Sequence, residues 1–306
     1  MRPDVTLEDK YTAESGRIYL NGLQALVRIP MMQRQLDARR GLKTATFISG
    51  YRGSPLGAYD MALMAAKKHL EKHDIRFFPG VNEDLAATAV WGSQQLSLGP
   101  GAQYDGIVGM WYGKGPGVDR STDPLRHGNA AGSSKHGGVL ALIGDDHASK
   151  SSSFPHQSEQ VLIHCMIPVL HPSSIEDALN LGLHGIAMSR YSGCWSAFKI
   201  VSDFADSSAS VFSDPFALEF KTPTDFNMPP EGLNIRWYDP PVVQEERLVN
   251  LKLPAVEAYA RANSLDRYII NPEHKRLAIV TTGKSFNDTM QVFEDLGITR
   301  ERAEGL

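Results

Sequence analysis

From Asn21 onward, helix-period stretches alternate with short apolar runs that end at a glycine or a turn. That rhythm marks βα units, in which each strand of a parallel sheet is buried on both faces and is followed by a helix that covers it. It predicts an α/β chain with an open, mostly parallel sheet and helices on both faces. The clearest strands are 44–49, 106–112 and 139–144, and shorter ones end at Phe77–Phe78 and run over 166–170 and 198–201. Helical periodicity covers 22–40, interrupted at Pro30, then 58–73 and 83–98. Ser173 and Glu176 have the spacing of a capping box that opens a further helix through Met188.

Between Asp203 and Pro254 the pattern dissolves into Pro, Asp and Phe with little periodicity, a span longer than compact domains tolerate without structure of its own. A new unit then begins: a helix over 255–262, an apolar strand over 277–281, Gly283, and a helix opening at Ser285. The expected organisation is an N-terminal arm over 1–20, a first α/β domain over 21–203, a connecting arm over 204–254 and the start of a second α/β domain over 255–306. One strand and one helix do not make a sheet, so the second unit reads as truncated, part of a larger protein.

Several functions are excluded on composition. The 31 Lys and Arg balance 35 Asp and Glu to a net charge of −4 without basic runs, which argues against nucleic acid as a partner. Two cysteines, Cys165 and Cys194, are too few for a disulfide framework or a four-thiolate cluster. No stretch approaches the ~18 apolar residues of a membrane span, and the charged N-terminus has no signal-peptide core. The chain is expected to be cytoplasmic.

Four loops could carry chemistry. The first, Gly50-Tyr-Arg-Gly-Ser-Pro-Leu-Gly57, follows a strand, where open α/β sheets gather ligands. The second, Gly80-Val-Asn82-Glu83, places a carboxylate in the first turn of an Ala-rich helix. The third runs from Gly113 and Lys114 to Leu125; it is not a phosphate-binding Walker loop, because Gly115 follows the lysine where Ser or Thr is required. The fourth, 144–160, concentrates carboxylates, hydroxyls, His147 and His156. Its histidines lie nine apart in a polar loop, so no metal is assigned there. A Ser–His–Asp hydrolase is open by residue type, although no Gly-x-Ser-x-Gly elbow is present.

In this order, Gly50 through Pro55, Val81-Asn82-Glu83, Lys114 through Leu125 and Asp145-Asp146 through Gln160 resemble motifs of the thiamine-diphosphate-dependent 2-oxoacid:ferredoxin oxidoreductases. The branch most similar is the indolepyruvate ferredoxin oxidoreductases, and the part is their N-terminal pyrimidine-binding domain. The resemblance runs from about Asn21 to Asp203, with a weaker continuation over 277–297. It implies oxidative decarboxylation of an aryl or branched 2-oxoacid to an acyl-CoA, with ferredoxin as electron acceptor. It makes Glu83 the catalytic acid and, with Asn82 and Gly53, cofactor-binding, and it makes Arg52, Ser54 and Lys114 substrate-binding. Arg52 stands where the family usually has Pro, Ser54 where it has Thr, and Gly115 and Asp119 replace His and Asn.

The resemblance further implies that Mg2+ and iron–sulfur clusters are held elsewhere, since no Gly-Asp-Gly motif occurs here. These 306 residues alone are then expected neither to turn over nor to bind the cofactor tightly. Partner domains or subunits and a homo-oligomer are expected. The alternative reading is a non-catalytic α/β binding or assembly module.

Overall fold

A computed structural model describes residues 6–150, 154–299 and 301–303. The chain enters through β1 (Gly16–Asn21), a helix (Gly22–Arg39) and β2 (Thr44–Gly50). It continues through β3 (Ile75–Phe77), β4 (Gly106–Lys114), β5 (Val139–Asp145), β6 (Val169–Leu170), β7 (Ser196–Val201) and β8 (Ser208–Ser213). Six strands form one sheet in the order β3-β2-β4-β5-β7-β6, and every neighbouring pair is parallel. The architecture is the α/β sheet that the alternation predicts.

Alternate residues of the central strands feed two separate cores. Met110, Tyr112, Leu140 and Leu142 pack on one face against the helices Gly22–Arg39 and Ile175–Ser192. Trp111, Val139, Ala141 and Ile143 face the other way, onto Ala86, Ala87 and Val90 of the helix Glu83–Ser93. All seven residues of β5 are buried, which is why the strand reads as an unbroken apolar run rather than an alternating one.

Several elements differ from expectation. The Gly22–Arg39 helix continues through Pro30, because thirteen of its residues are buried and that packing outweighs the lost hydrogen bond. The 58–73 stretch forms two helices, Tyr59–Ala65 and Lys67–Lys72. The Ile175–Ser192 helix is capped by Ser174, one residue later than expected: its Oγ accepts from the Asp177 N–H at 3.1 Å, while Ser173 bonds the Asp177 carboxylate. Part of the third loop is helical, as Gly115–Arg120 and Thr122–Ala131.

Two larger differences involve the segments outside the first domain. Residues of the N-terminal arm and of the connecting arm pair as an antiparallel ribbon, β1 with β8, from Gly16↔Ser213 to Asn21↔Ser208. The apolar run 277–281 forms no strand: Leu277 and Val280 are exposed, and no strand among the described residues lies beside it. A parallel strand has half its ladder on a neighbour, and without one the run stays irregular. The helix Leu253–Ala262 packs on Ile175–Ser192, and Lys252 just before it reaches the carbonyls of Ala130 (2.8 Å) and Ala131. Burial pushes the Lys252 ammonium down to about 8.

Among the described residues no helix is long and apolar enough to cross a membrane. Cys165 and Cys194 are buried free thiols, both pushed up to about 11 by burial.

Candidate functional site

The order of the sheet defines where a crevice opens. From β2 the chain turns outward to β3 and then crosses back to β4 and on to β5, so the connections after β2 and β4 leave in opposite directions. Ligands of open α/β sheets bind at the carboxyl ends of strands at such a switch point. Glu83 lies there, at the first residue of its helix.

The local sequence explains that placement. Asn82 is the N-cap, its Oδ1 accepting from the Leu85 N–H at 3.0 Å. Gly80 donates its backbone N–H to the Gly50 carbonyl (2.9 Å), which ties the second loop to the end of β2. From β4, the Trp111 indole N–H donates to the Glu83 carbonyl at 2.9 Å and fixes the height of the helix against the sheet. Trp111 itself is fully buried.

The Glu83 side chain is 11% exposed and is bounded by glycine surfaces. A Cβ at Gly117 would lie 2.6 Å from Glu83 Cγ and 2.7 Å from its Oε1, and one at Gly113 would lie 3.4 Å from Cγ. The carboxylate therefore rests in a cradle that exists because these positions have no side chain. Its charged neighbour is Arg120, whose Nη1 is 3.7 Å from Glu83 Oε2 and whose Nε is 3.2 Å from Asp84. Around the cradle, Phe78, Val81 and Leu85 are large apolar residues left exposed.

The remaining predicted site residues divide. Gly53 lies on the aliphatic stem of Lys114, where a Cβ would be 2.6 Å from the lysine Cδ, so the first and third loops meet beside Gly113. Ser54 is half-buried, and the Pro55 and Leu56 that follow it pack on Gly144 at the end of β5. Arg52 is exposed, and its charge acts on the buried Tyr112 hydroxyl, which burial and the Asp60 carboxylate together hold above the usual tyrosine range. Sequence reading missed Arg120, Trp111 and Gly117. Only their positions after the strand could have flagged them, because 37 residues separate Arg120 from Glu83.

The fourth loop closes on itself. Asp145 is fully buried and accepts from the Ser158 N–H (3.0 Å) and hydroxyl (2.6 Å), with Lys199 Nζ at 3.3 Å. Lys199 also pairs with Glu159, and although burial works to raise that carboxyl, the ammonium holds it below its usual value. A hydrolase needs a hydroxyl that donates to an imidazole. Ser158 donates to Asp145 instead, and Ser151–Ser153 lie outside the described residues. Among the described residues no group of three or more His, Cys, Asp or Glu side chains is placed to hold a metal ion.

No protein-family model matches the chain. No curated protein matches it either. Among solved structures, the chain is similar in fold to part of an oxidoreductase. One similar structure is 2-oxoglutarate:ferredoxin oxidoreductase from Magnetococcus marinus, solved with 2-oxoglutarate, coenzyme A and succinyl-CoA bound. The TM-score is 0.59 at 12% identity, over 92% of this chain and 52% of that one. The chain thus spans about half the length of that structure, and at this identity the likeness is one of fold.

Proposed function

We propose that this chain forms the aminopyrimidine side of a thiamine-diphosphate site in a 2-oxoacid:ferredoxin oxidoreductase, with an aryl or branched 2-oxoacid as substrate. One observation carries the reading: a nearly buried carboxylate, Glu83, cradled by Gly113 and Gly117 at the switch-point crevice. The fold of a protein solved with a 2-oxoacid and coenzyme A supports it, as do the four loop motifs in register. When bound, thiamine diphosphate supplies the nucleophilic carbon and the electron sink for decarboxylation.

The chain's own residues have definite tasks in this reading. Glu83 holds a shared proton at the ring nitrogen N1′, a bond that is stronger in a partly dry crevice than in water. The missing side chains at Gly113 and Gly117 leave room for a flat ring against that carboxyl. Asn82 fixes the turn from which Glu83 projects, and Gly53 lets the first loop close on Lys114. Ser54 and Arg52, on the first loop, would face the 2-oxoacid, and Lys114 would line the pocket near its carboxylate. The exposed Phe78, Val81 and Leu85 meet the domain that supplies the diphosphate and Mg2+ contacts and keep water from the ring.

Coenzyme A accepts the acyl group, and iron–sulfur clusters outside this chain pass electrons to ferredoxin. The enzyme is a cytoplasmic homo-oligomer, and residues 21–203 form its pyrimidine-binding domain. Replacing Glu83 by Gln in the complete enzyme tests the reading. Oxoacid-dependent reduction of an electron acceptor is expected to fall roughly 10²–10⁴-fold, the usual worth of a positioned acid. Turnover near that of the unaltered enzyme would overturn it.

A further inference from the structure

The six-residue helix Gly115–Arg120 has two working faces. One carries Gly117 against the Glu83 side chain and Arg120 at its carboxylate. The other carries Gly115 and Asp119, and both meet His156 from the fourth loop. The imidazole packs against Gly115, where a Cβ would clash with its Nδ1 and Cγ. Its Nε2–H donates to Asp119 at 3.0 Å, and Nδ1 sits 3.7 Å from the fully buried Asp145 at the end of β5.

His156 is itself held in place. Its backbone N–H donates to the Asp146 carbonyl (3.2 Å), and its carbonyl accepts from His147 Nδ1 (2.9 Å). Asp145 in turn is fixed by Ser158 and Lys199. A histidine that merely filled space would not require a bond to Asp119 and a glycine contact on the same short helix.

We propose that His156 is a positioning residue for Glu83, acting through the Gly115–Arg120 helix. It transmits the rigidity of the β5 end to the cradle: the Asp146 carbonyl just beyond β5 holds the His156 backbone, the imidazole packs on Gly115 and bonds Asp119, and the same helix presses Gly117 onto Glu83. This rests on the reading of Glu83 as the group that meets ring nitrogen N1′. Removing the imidazole releases the helix by tenths of an ångström, and the carboxyl loses its alignment while the fold is kept.

The test compares binding of thiamine diphosphate with that of its 1′-deaza analogue, which lacks the ring nitrogen, by calorimetry with Mg2+ on the complete enzyme. The unaltered enzyme is expected to prefer the natural cofactor by about tenfold, and Glu83→Gln to lose that preference. His156→Ala should reduce the preference to that of Glu83→Gln, and adding His156→Ala to Glu83→Gln should change it no further. His156→Gln, which can still donate to Asp119, should restore part of it and also serves if the alanine variant folds poorly.

A second readout needs no cofactor. The Trp111 indole N–H, bonded to the Glu83 carbonyl, reports the helix position in a two-dimensional NMR spectrum, where the signal is assigned by Trp111→Phe. His156→Ala should move that signal, and Asp119→Asn, which leaves the ring in place, should move it the same way. An unmoved indole, or an alanine variant that keeps the full cofactor preference, overturns the proposal. Absence of preference in the unaltered enzyme defeats the Glu83 reading instead, and the indole signal still decides whether His156 holds the helix.

Discussion

One sheet edge carries two differently built regions. At the ends of β5 and β7, Asp145 accepts from the Ser158 N–H and hydroxyl and lies beside Lys199, so that a buried carboxylate has its partners within the chain. At the ends of β2 and β4, Glu83 is nearly as enclosed, but its walls are glycines and its counter-charge is a half-exposed arginine 3.7 Å away. The first arrangement closes a structure. The second leaves a carboxylate against walls that carry no side chain, and that difference is what the proposed function rests on.

Mutations should separate the two. The largest effect is on catalysis: Glu83→Gln should lower turnover by roughly 10²–10⁴-fold while leaving the denaturant midpoint nearly unchanged. Matching destabilisation in that variant would break the comparison. Asp145→Asn should do the reverse in kind, lowering unfolding free energy by about 3 kcal/mol in urea titrations, because Lys199 is left buried with one partner fewer.

Acid should also act on the closed region first. His171, at the end of β6, is pushed down to about 4 by burial and by the nearby Lys199. Its unfolded form takes up a proton at higher pH than the folded form, so stability falls as pH drops from 6.5 toward 4. The Glu159 carboxyl, held below 4.5, adds to the loss below that pH. His171→Gln should flatten the fall between pH 6.5 and 4 by about 1–2 kcal/mol, allowing for its partial exposure; an unchanged thermal-midpoint profile would count against it.

Smaller effects sharpen the picture at the open region. Gly117→Ala should lower turnover about tenfold, since its Cβ must displace the Glu83 side chain, and should cost stability only ~1 kcal/mol. Arg120→Gln is expected to change cofactor affinity by no more than about fivefold, because the pair is solvent-screened; calorimetry decides both direction and size.

The sheet was legible because its strands are buried on both faces, and a short, β-branched apolar run such as Val139–Ile143, bounded by glycines, suits a central parallel strand better than a helix. The ribbon was not, because β1 and β8 are separated in sequence and neither carries a hairpin turn to announce the other. The run 277–281 misled for the converse reason: it has strand composition, but composition does not supply a neighbour. At the site, Glu83 was visible as an acid opening an Ala-rich helix. What surrounds it was not, since glycines 113 and 117 look like any loop glycines until a side chain is built onto them.

The pairing of β1 with β8 also has a consequence for how the chain comes off the ribosome. About 190 residues must follow Asn21 before its partner strand is complete, roughly 10–40 s at ordinary rates of translation. During that interval β1 lacks its only strand neighbour among the described residues, and Ile18 lacks its register partner Val211. An unpaired strand is a template for wrong pairing, so point changes that make β1 more apolar should show as lower yield before they show in the folded protein.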